Sequence, residues 1–289
     1  MSKHLDNIIP FGSIFLAILF GAMAYHFTDA ETFQNSEVVS AEITNLANNK
    51  AKVLIVPGHD EKYYGAKYKE ITEEKENLKI ANLLHLKLEK ESRVEVVVLR
   101  DENGYIAEFE EYFTGNQNEI EKFRSDHKQK TKSLIAQNDF VSNQKVKHNF
   151  APAEMSLRLY AINKWATEND FDFVIHVHLN DYPGRKTNSV GKYKGFSIYV
   201  PERQLPNHDE SLKLAEAVRM KLQNILAKSN FPQETENIIE DQDLIAVGAN
   251  HTLEIPSILI EYGYIYESLD YEMIARETAS GVEEFLKFR

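Results

Sequence analysis

The sequence predicts an α/β protein: a single three-layer domain with a mostly parallel central sheet flanked by helices, preceded by one N-terminal transmembrane or signal segment. Three observations predict it. From Ala51 onward, short apolar runs alternate with longer stretches of helical spacing, the pattern of strand–helix–strand units and a parallel sheet. Several of those runs are bounded by Pro or Gly, as buried strands are. One uncharged segment, Ile8–Tyr25, stands by itself at the N-terminus.

That segment reads IIPFGSIFLAILFGAMAY, with Lys3 before it and Asp29 and Glu31 after it. It is long enough to cross a hydrocarbon core of roughly 30 Å. The weak basic bias puts the N-terminus inside and the rest of the chain outside the cytoplasm. Two readings stand side by side: a single-pass cell-membrane anchor, or a signal peptide cut after Ala22-Met23-Ala24, a small-x-small pattern that would leave the protein secreted or periplasmic. Residues 1–28 are therefore the anchor or signal segment. Residues 29–50 are a polar linker, and 51–289 form the folded domain.

The elements follow in order. Ala51–Pro57 (AKVLIVP) is a short apolar run closed by Pro-Gly, a buried strand. Thr72 can cap a helix to about Lys90, with Leu78, Ala81, Leu84 and Leu88 near one face. Arg93–Leu99 (RVEVVVL) is the next strand. From about 102 to 152 the chain is highly polar with a thin apolar stripe, and reads as a surface insertion with one or two helices. Helical spacing returns over Ala153–Asn169. Phe171–Leu179 and Gly195–Val200 are strands, Asp209–Ser229 a helix, Pro256–Tyr262 the last strand and Glu267–Phe288 the closing helix.

Composition narrows the chemistry. The chain has 289 residues, 43% of them hydrophobic, and can bury a full core. A net charge of -12 argues against a nucleic-acid partner. The absence of cysteine removes disulfides, thiolate metal sites and a cysteine nucleophile, so any metal is held by His, Asp or Glu.

Four residues have the types and positions of a metal-assisted hydrolase. His59 follows the first strand, where α/β sheets build their sites; it also reads as an idle loop histidine. Glu73 opens a helix beside Glu74 and Glu76, where acids also simply complement the macrodipole, and chemistry does not choose among the three. His176 and His178 share one face of an apolar strand. Burying both is costly without partners; a metal would serve His178, the outer one, and hydrogen bonding His176. Glu261 ends an apolar strand, either in a structural ion pair or as a base with a raised pKa beside a metal. Two imidazoles and a carboxylate make a zinc set, and a second carboxylate a base.

In this order the segments resemble the zinc-dependent N-acetylmuramoyl-L-alanine amidases of bacterial cell walls. Val56-Pro57-Gly58-His59 matches that family's strand ending in D-P-G-H-G-G. Thr72-Glu73 before Asn77-Leu78-Lys79-Ile80-Ala81 matches its helix-opening Glu. The run to His178-Leu179-Asn180 matches its S-I-H-A-N strand, with His176 at the Ser position. Pro256 through Glu261-Tyr262-Gly263-Tyr264 matches its V-E-x-G-F strand. Leu157-Arg158 and Asn163 resemble the helix before the third segment. The likeness covers about 51–100 and 153–285.

The resemblance implies one zinc ion on His59, Glu73 and His178, Glu261 as catalytic base, and hydrolysis of the N-acetylmuramic acid–L-alanine amide of peptidoglycan. The alternatives are a membrane-tethered peptidoglycan-binding protein without turnover, and a zinc peptidase acting within the stem peptide. Peptidoglycan, the membrane through the N-terminal segment, and an unidentified protein activator are the expected partners. GHGG is replaced here by Gly58-His59-Asp60-Glu61, which adds two acids near the metal. The basic stretch Tyr182–Lys194 follows the third segment; Asn180, Arg185 and Lys186 are expected to meet substrate, the cations attracting stem-peptide carboxylates. The 102–152 insertion reads as solvated decoration, with a lid or an activator dock as the regulatory alternatives.

Overall fold

Ala51–Pro57 (β1) alternates its side chains between two buried clusters, Val53 and Ile55 in one and Leu54 and Val56 in the other. A strand covered on both faces lies inside a sheet with helices above and below. The structure, a computed structural model, describes residues 50–91, 93–143, 151–234 and 236–288. The apolar segment at 8–25 and the linker up to residue 49 lie outside the described residues. Among the described residues no helix is long and apolar enough to cross a membrane.

After β1 a small hairpin, Lys67–Tyr68 (β2) with Ile71–Thr72 (β3), leads into Glu73–Leu88 (α1). Helix α1 buries Ile80, Ala81, Leu84 and Leu88 against the first cluster and returns the chain to Val94–Val98 (β4), parallel to β1. A second hairpin, Arg100–Asp101 (β5) with Gly104–Tyr105 (β6), precedes helices Ala107–Gly115 (α2) and Gln117–Ala136 (α3). Ala153–Glu168 (α4) then feeds Phe173–Asn180 (β7), which lies parallel on the other side of β1. Ser197–Pro201 (β8), His208–Leu222 (α5), Ile238–Asp241 (β9), Ser257–Tyr264 (β10) and Tyr271–Leu286 (α6) complete the domain. Asp270 caps α6, its side chain accepting from Met273 N at 3.0 Å.

The sheet order is β4-β1-β7-β10-β8-β9, parallel from β4 to β10, with β8 antiparallel to β10 and β9 parallel to β8. This is the predicted mostly parallel sheet with flanking helices. Helix α1 packs in one cluster and α4 in the other, so the chain leaves β1 toward β4 over one face and returns to β7 over the opposite face. The crevice between β1 and β7 is thus the point where strand order reverses, where α/β sheets place ligands beyond the strands' carboxyl ends.

Three expectations are corrected. The 102–152 stretch is more than decoration: Phe109, Phe113 and Ile120 enter the second cluster, with Phe109 edge-on to Trp165 at 5.5 Å. A thin stripe suffices there because each aromatic ring removes so much surface from water. The helix expected to reach Ser229 ends at Leu222, because Phe196 N donates to Ala227 O and Ser229 N to Phe196 O, pulling the chain into backbone pairing with the strand side. Strand β9, in a polar run, was not expected; it lies at the sheet edge, with Ile239 and Asp241 buried.

Candidate active site

The turn after β1 is held from below. Arg100, 5% exposed, donates to the carbonyls of Pro57 at 3.2 Å, Gly58 at 3.1 Å and Glu74 at 2.6 Å. Asn77, fully buried, donates to Gly58 O at 3.1 Å. His59 sits in the left-handed region with φ 65, a strained conformation for a non-glycine residue of the kind that gathers at functional sites. The turn then delivers its ring to the crevice. Asp60 is used locally, accepting from Tyr63 N at 2.8 Å, and Glu61 is exposed.

At the start of α1, Glu73, Glu74 and Glu76 are all buried, which exceeds what a macrodipole role needs. Only Glu73 reaches the crevice. Its Oε1 accepts from His178 Nδ1 at 3.0 Å, Leu179 N at 3.3 Å and Asn77 at 3.3 Å. Its Oε2 accepts from Ala66 N at 2.8 Å and lies 3.2 Å from His59 Nε2. Glu76 is occupied by Lys79 and the Tyr271 hydroxyl. Burial pushes the Glu73 carboxyl up, but His59 and the hydrogen bonds from both imidazoles outweigh it and hold the group far below the usual carboxylate range. Burial lowers both histidines' proton affinity; for His59 the Glu73 carboxylate wins and the net shift is upward, whereas His178 stays lowered.

His59, Glu73 and His178 each offer a ligand atom, all within 4.8 Å of one another. Two glycines permit this convergence. A Cβ on Gly58 would stand 2.2 Å from the His178 ring; one on Gly65, at φ +71, would stand 2.4 Å from Glu73 Oε2 and 2.6 Å from the His59 ring. The donor set suits a divalent zinc-like ion with one position left open, and the cradle has room for no larger residue at either glycine.

Glu261 lies beside this cluster. On parallel β7 and β10 it is the register partner of His178, and Leu259 that of His176. Partners in register face the same way, so Glu261 and His178 project together at the strands' carboxyl ends. Glu261 Oε2 is buried and has no hydrogen-bond partner among the described residues. Burial first, then the Glu73 and Glu234 carboxylates, raise its proton affinity well above normal. His176, 1% exposed, is pushed down to about 3 by burial and then by His178, and its Nε2 has no hydrogen-bond partner among the described residues; it is a neutral, buried histidine.

His59, Glu73, His176, His178 and Glu261 all line one cleft of about 1220 Å³. Asn180 lines it too, donating to Glu234 Oε1 at 2.6 Å. Glu234, 2% exposed, also accepts from the Tyr199 hydroxyl at 3.0 Å and from Ser229 Oγ. Its sequence context, a polar loop, carries no signal of burial. Arg185 does not meet the expectation set for it. Its side chain is 2% exposed and is consumed by its own loop: Asp181 at 2.6 Å and 2.8 Å, and carbonyls of Lys67, Lys186, Thr187 and Ser189. The guanidinium's donors are committed to organising the loop. Lys186 is exposed and is not among the cleft-lining residues.

No curated protein matches the chain by sequence. Solved structures share its fold. The CwlD amidase from Clostridioides difficile, determined in complex with the GerS lipoprotein, matches with TM-score 0.55 and 16% identity, covering 83% of this chain and 100% of that one. The N-acetylmuramyl-L-alanine amidase Ami1 from Mycobacterium abscessus matches with TM-score 0.53 and 13% identity, covering 82% and 99%. The catalytic domain of CwlV from Bacillus (Paenibacillus) polymyxa var. colistinus gives 0.51 and 15%, covering 83% and 99%. A family model described as N-acetylmuramoyl-L-alanine amidase matches residues 53–281. That span runs from β1 into α6 and takes in every element that builds the cleft, so the chain belongs to the N-acetylmuramoyl-L-alanine amidase family.

Proposed function

We propose that this chain hydrolyses the amide between N-acetylmuramic acid and L-alanine in peptidoglycan, with one zinc ion held by His59, Glu73 and His178. The observation that carries the reading is Glu261: a carboxylate with an unpartnered buried oxygen, in register with His178 and with raised proton affinity. Zinc, when bound, supplies Lewis acidity toward a water and the lactyl carbonyl. Glu261 takes the proton of the attacking water as the new C–O bond forms. It returns that proton to the L-alanine nitrogen as the C–N bond breaks, a transfer suited to a carboxyl whose proton affinity burial has raised. Glu73 stays ionised throughout, and Asn77, Ala66 N and Leu179 N hold its orientation.

In this reading residues 51–289 are the catalytic domain and act outside the cytoplasm. Residues 1–28 tether that domain to the membrane or are removed on export. A protein partner, of the kind seen with the CwlD amidase, belongs to the same proposal. The test is Glu261→Ala in the full chain, with zinc content and released stem peptide both measured. Zinc is expected to stay at one per chain while peptide release falls at least ~100-fold. Product masses showing cleavage inside the stem peptide would make the chain a peptidase. Unchanged release by the variant would remove Glu261 from the mechanism.

A further inference from the structure

We infer that the cleft carries a pyranose-stacking subsite beside the proposed zinc, formed by Tyr182 and Phe231 with Tyr193 wedged between them. The inference rests on the amidase reading and deepens it by placing the glycan strand.

Tyr182 and Phe231 both line the cleft that holds His178 and Glu261, and both are only half-buried. Tyr193 stands edge-to-face to each: its centroid is 4.7 Å from Tyr182 at 75° and 4.8 Å from Phe231 at 65°. Two cleft rings contributed by separate loops are thus braced on one shared ring, in the geometry aromatic quadrupoles favour.

Polar contacts fix both loops. The Tyr182 hydroxyl accepts from Lys192 N at 3.0 Å, and Asp181 accepts from Tyr182 N at 2.8 Å while it holds Arg185. On the other side Phe231 N donates to Ser229 Oγ at 3.2 Å, Glu234 N donates to Phe231 O at 2.9 Å, and the buried Glu234 side chain ties that turn to Asn180 and Tyr199. A buried carboxylate spent on shaping a surface turn makes sense if the ring on that turn must be in place before a ligand arrives.

The chemistry of the rim points to sugar. A pyranose has a C–H face that is apolar and an edge of hydroxyls; aromatic rings with amide groups in the same cleft match both. Gln233 and Asn180 line the cleft with these rings. A stem peptide, by contrast, presents carboxylates; the guanidinium of this loop is already used internally, and the lysines that line the cleft, Lys62 and Lys128, come from other segments than these rings. On the amidase reading the scissile amide is carried on a muramic acid ring, so a hexose lies near Glu261 during the reaction.

The test is calorimetric binding of a peptide-free GlcNAc–MurNAc tetrasaccharide to the full chain. Saturable binding is expected for the wild type, about ten-fold weaker binding for Tyr182→Ala and for Phe231→Ala, and wild-type binding for Phe231→Tyr. Thermal melts of each variant separate lost stacking from lost fold. No saturable binding by the wild type, unchanged binding by both folded alanine variants, or displacement of the sugar by free stem peptide overturns the inference. Peptide release measured on the same wild-type preparation keeps the two readings apart. Sugar binding without release overturns the amidase reading alone, and release without sugar binding overturns the subsite alone.

Discussion

Glu73 and Glu261 line the same cleft, one at the first turn of α1 and the other near the end of β10. Around Glu73 the fold converges two imidazoles, two backbone N–H groups and an amide. Around Glu261 it leaves one oxygen without a donor and sets two other carboxylates nearby. The first group is driven to ionise and the second to hold a proton. Side chains of one chemical type are driven to opposite ionisation in the two corners, and the environment makes the difference; the proposed function makes one a metal ligand and the other an acid–base group.

The largest effect should come from breaking the tight corner. Gly65→Ala places a methyl 2.4 Å from Glu73 Oε2 on a backbone at φ +71. It should cost about 1–3 kcal/mol in denaturant unfolding and weaken zinc binding at least about ten-fold in a metal titration. Gly104→Ala is the control: its φ is also positive, at +125, but a Cβ there meets nothing within 4 Å. Equal zinc affinity in the Gly65 variant and wild type would mean the corner is not as close-fitting as described.

The next effect sharpens the comparison through its sign. In metal-free protein the folded pKa of Glu261 lies above its ordinary 4.5. The folded state therefore binds more protons above that value, and stability falls as pH rises toward the folded pKa. Glu73 is shifted the other way, so its contribution is full above 4.5 and is lost as pH falls toward its depressed folded pKa. At pH 7, Glu261→Gln should raise the Tm and Glu73→Gln should lower it, each by at least about 2 °C. The Glu73→Gln deficit should shrink in acid. Shifts of the same sign at pH 7 would contradict the opposite treatment of the two carboxylates.

The smallest effect carries the contrast out to the rim. Arg185→Ala removes the centre of the 181–195 loop and should speed proteolysis there several-fold. Lys186→Ala, at an exposed neighbour, should change stability by less than about 0.5 kcal/mol and leave the proteolysis rate unchanged. A Lys186 effect as large as that of Arg185 would mean that the buried guanidinium is not what holds the loop.

Much of the fold was legible because its signals are local. Runs such as AKVLIVP and PSILIEY are apolar over the length of a strand, and helix α1 repeats Leu84 and Leu88 on one face. The 109–120 stripe was underread because three large side chains suffice to anchor two mostly polar helices. Glu234 was missed because nothing near it in NFPQETEN marks a buried group; its partners Asn180 and Tyr199 come from two other strands.

By itself the sequence determined most of the strands and helices of the main sheet and its cover, their α/β order, and the positions where His and Glu end apolar runs. Propensity, hydrophobic period and turn residues act over a few positions, and they suffice for that. Only the tertiary structure decided that Glu73 meets both His59 and His178, that Glu234 is buried against Asn180 and Tyr199, and that Arg185 turns inward. Each of these depends on contacts between distant segments, as with Glu73 and His178, 105 positions apart. Sheet order brings such pairs together, and no short window of sequence encodes it.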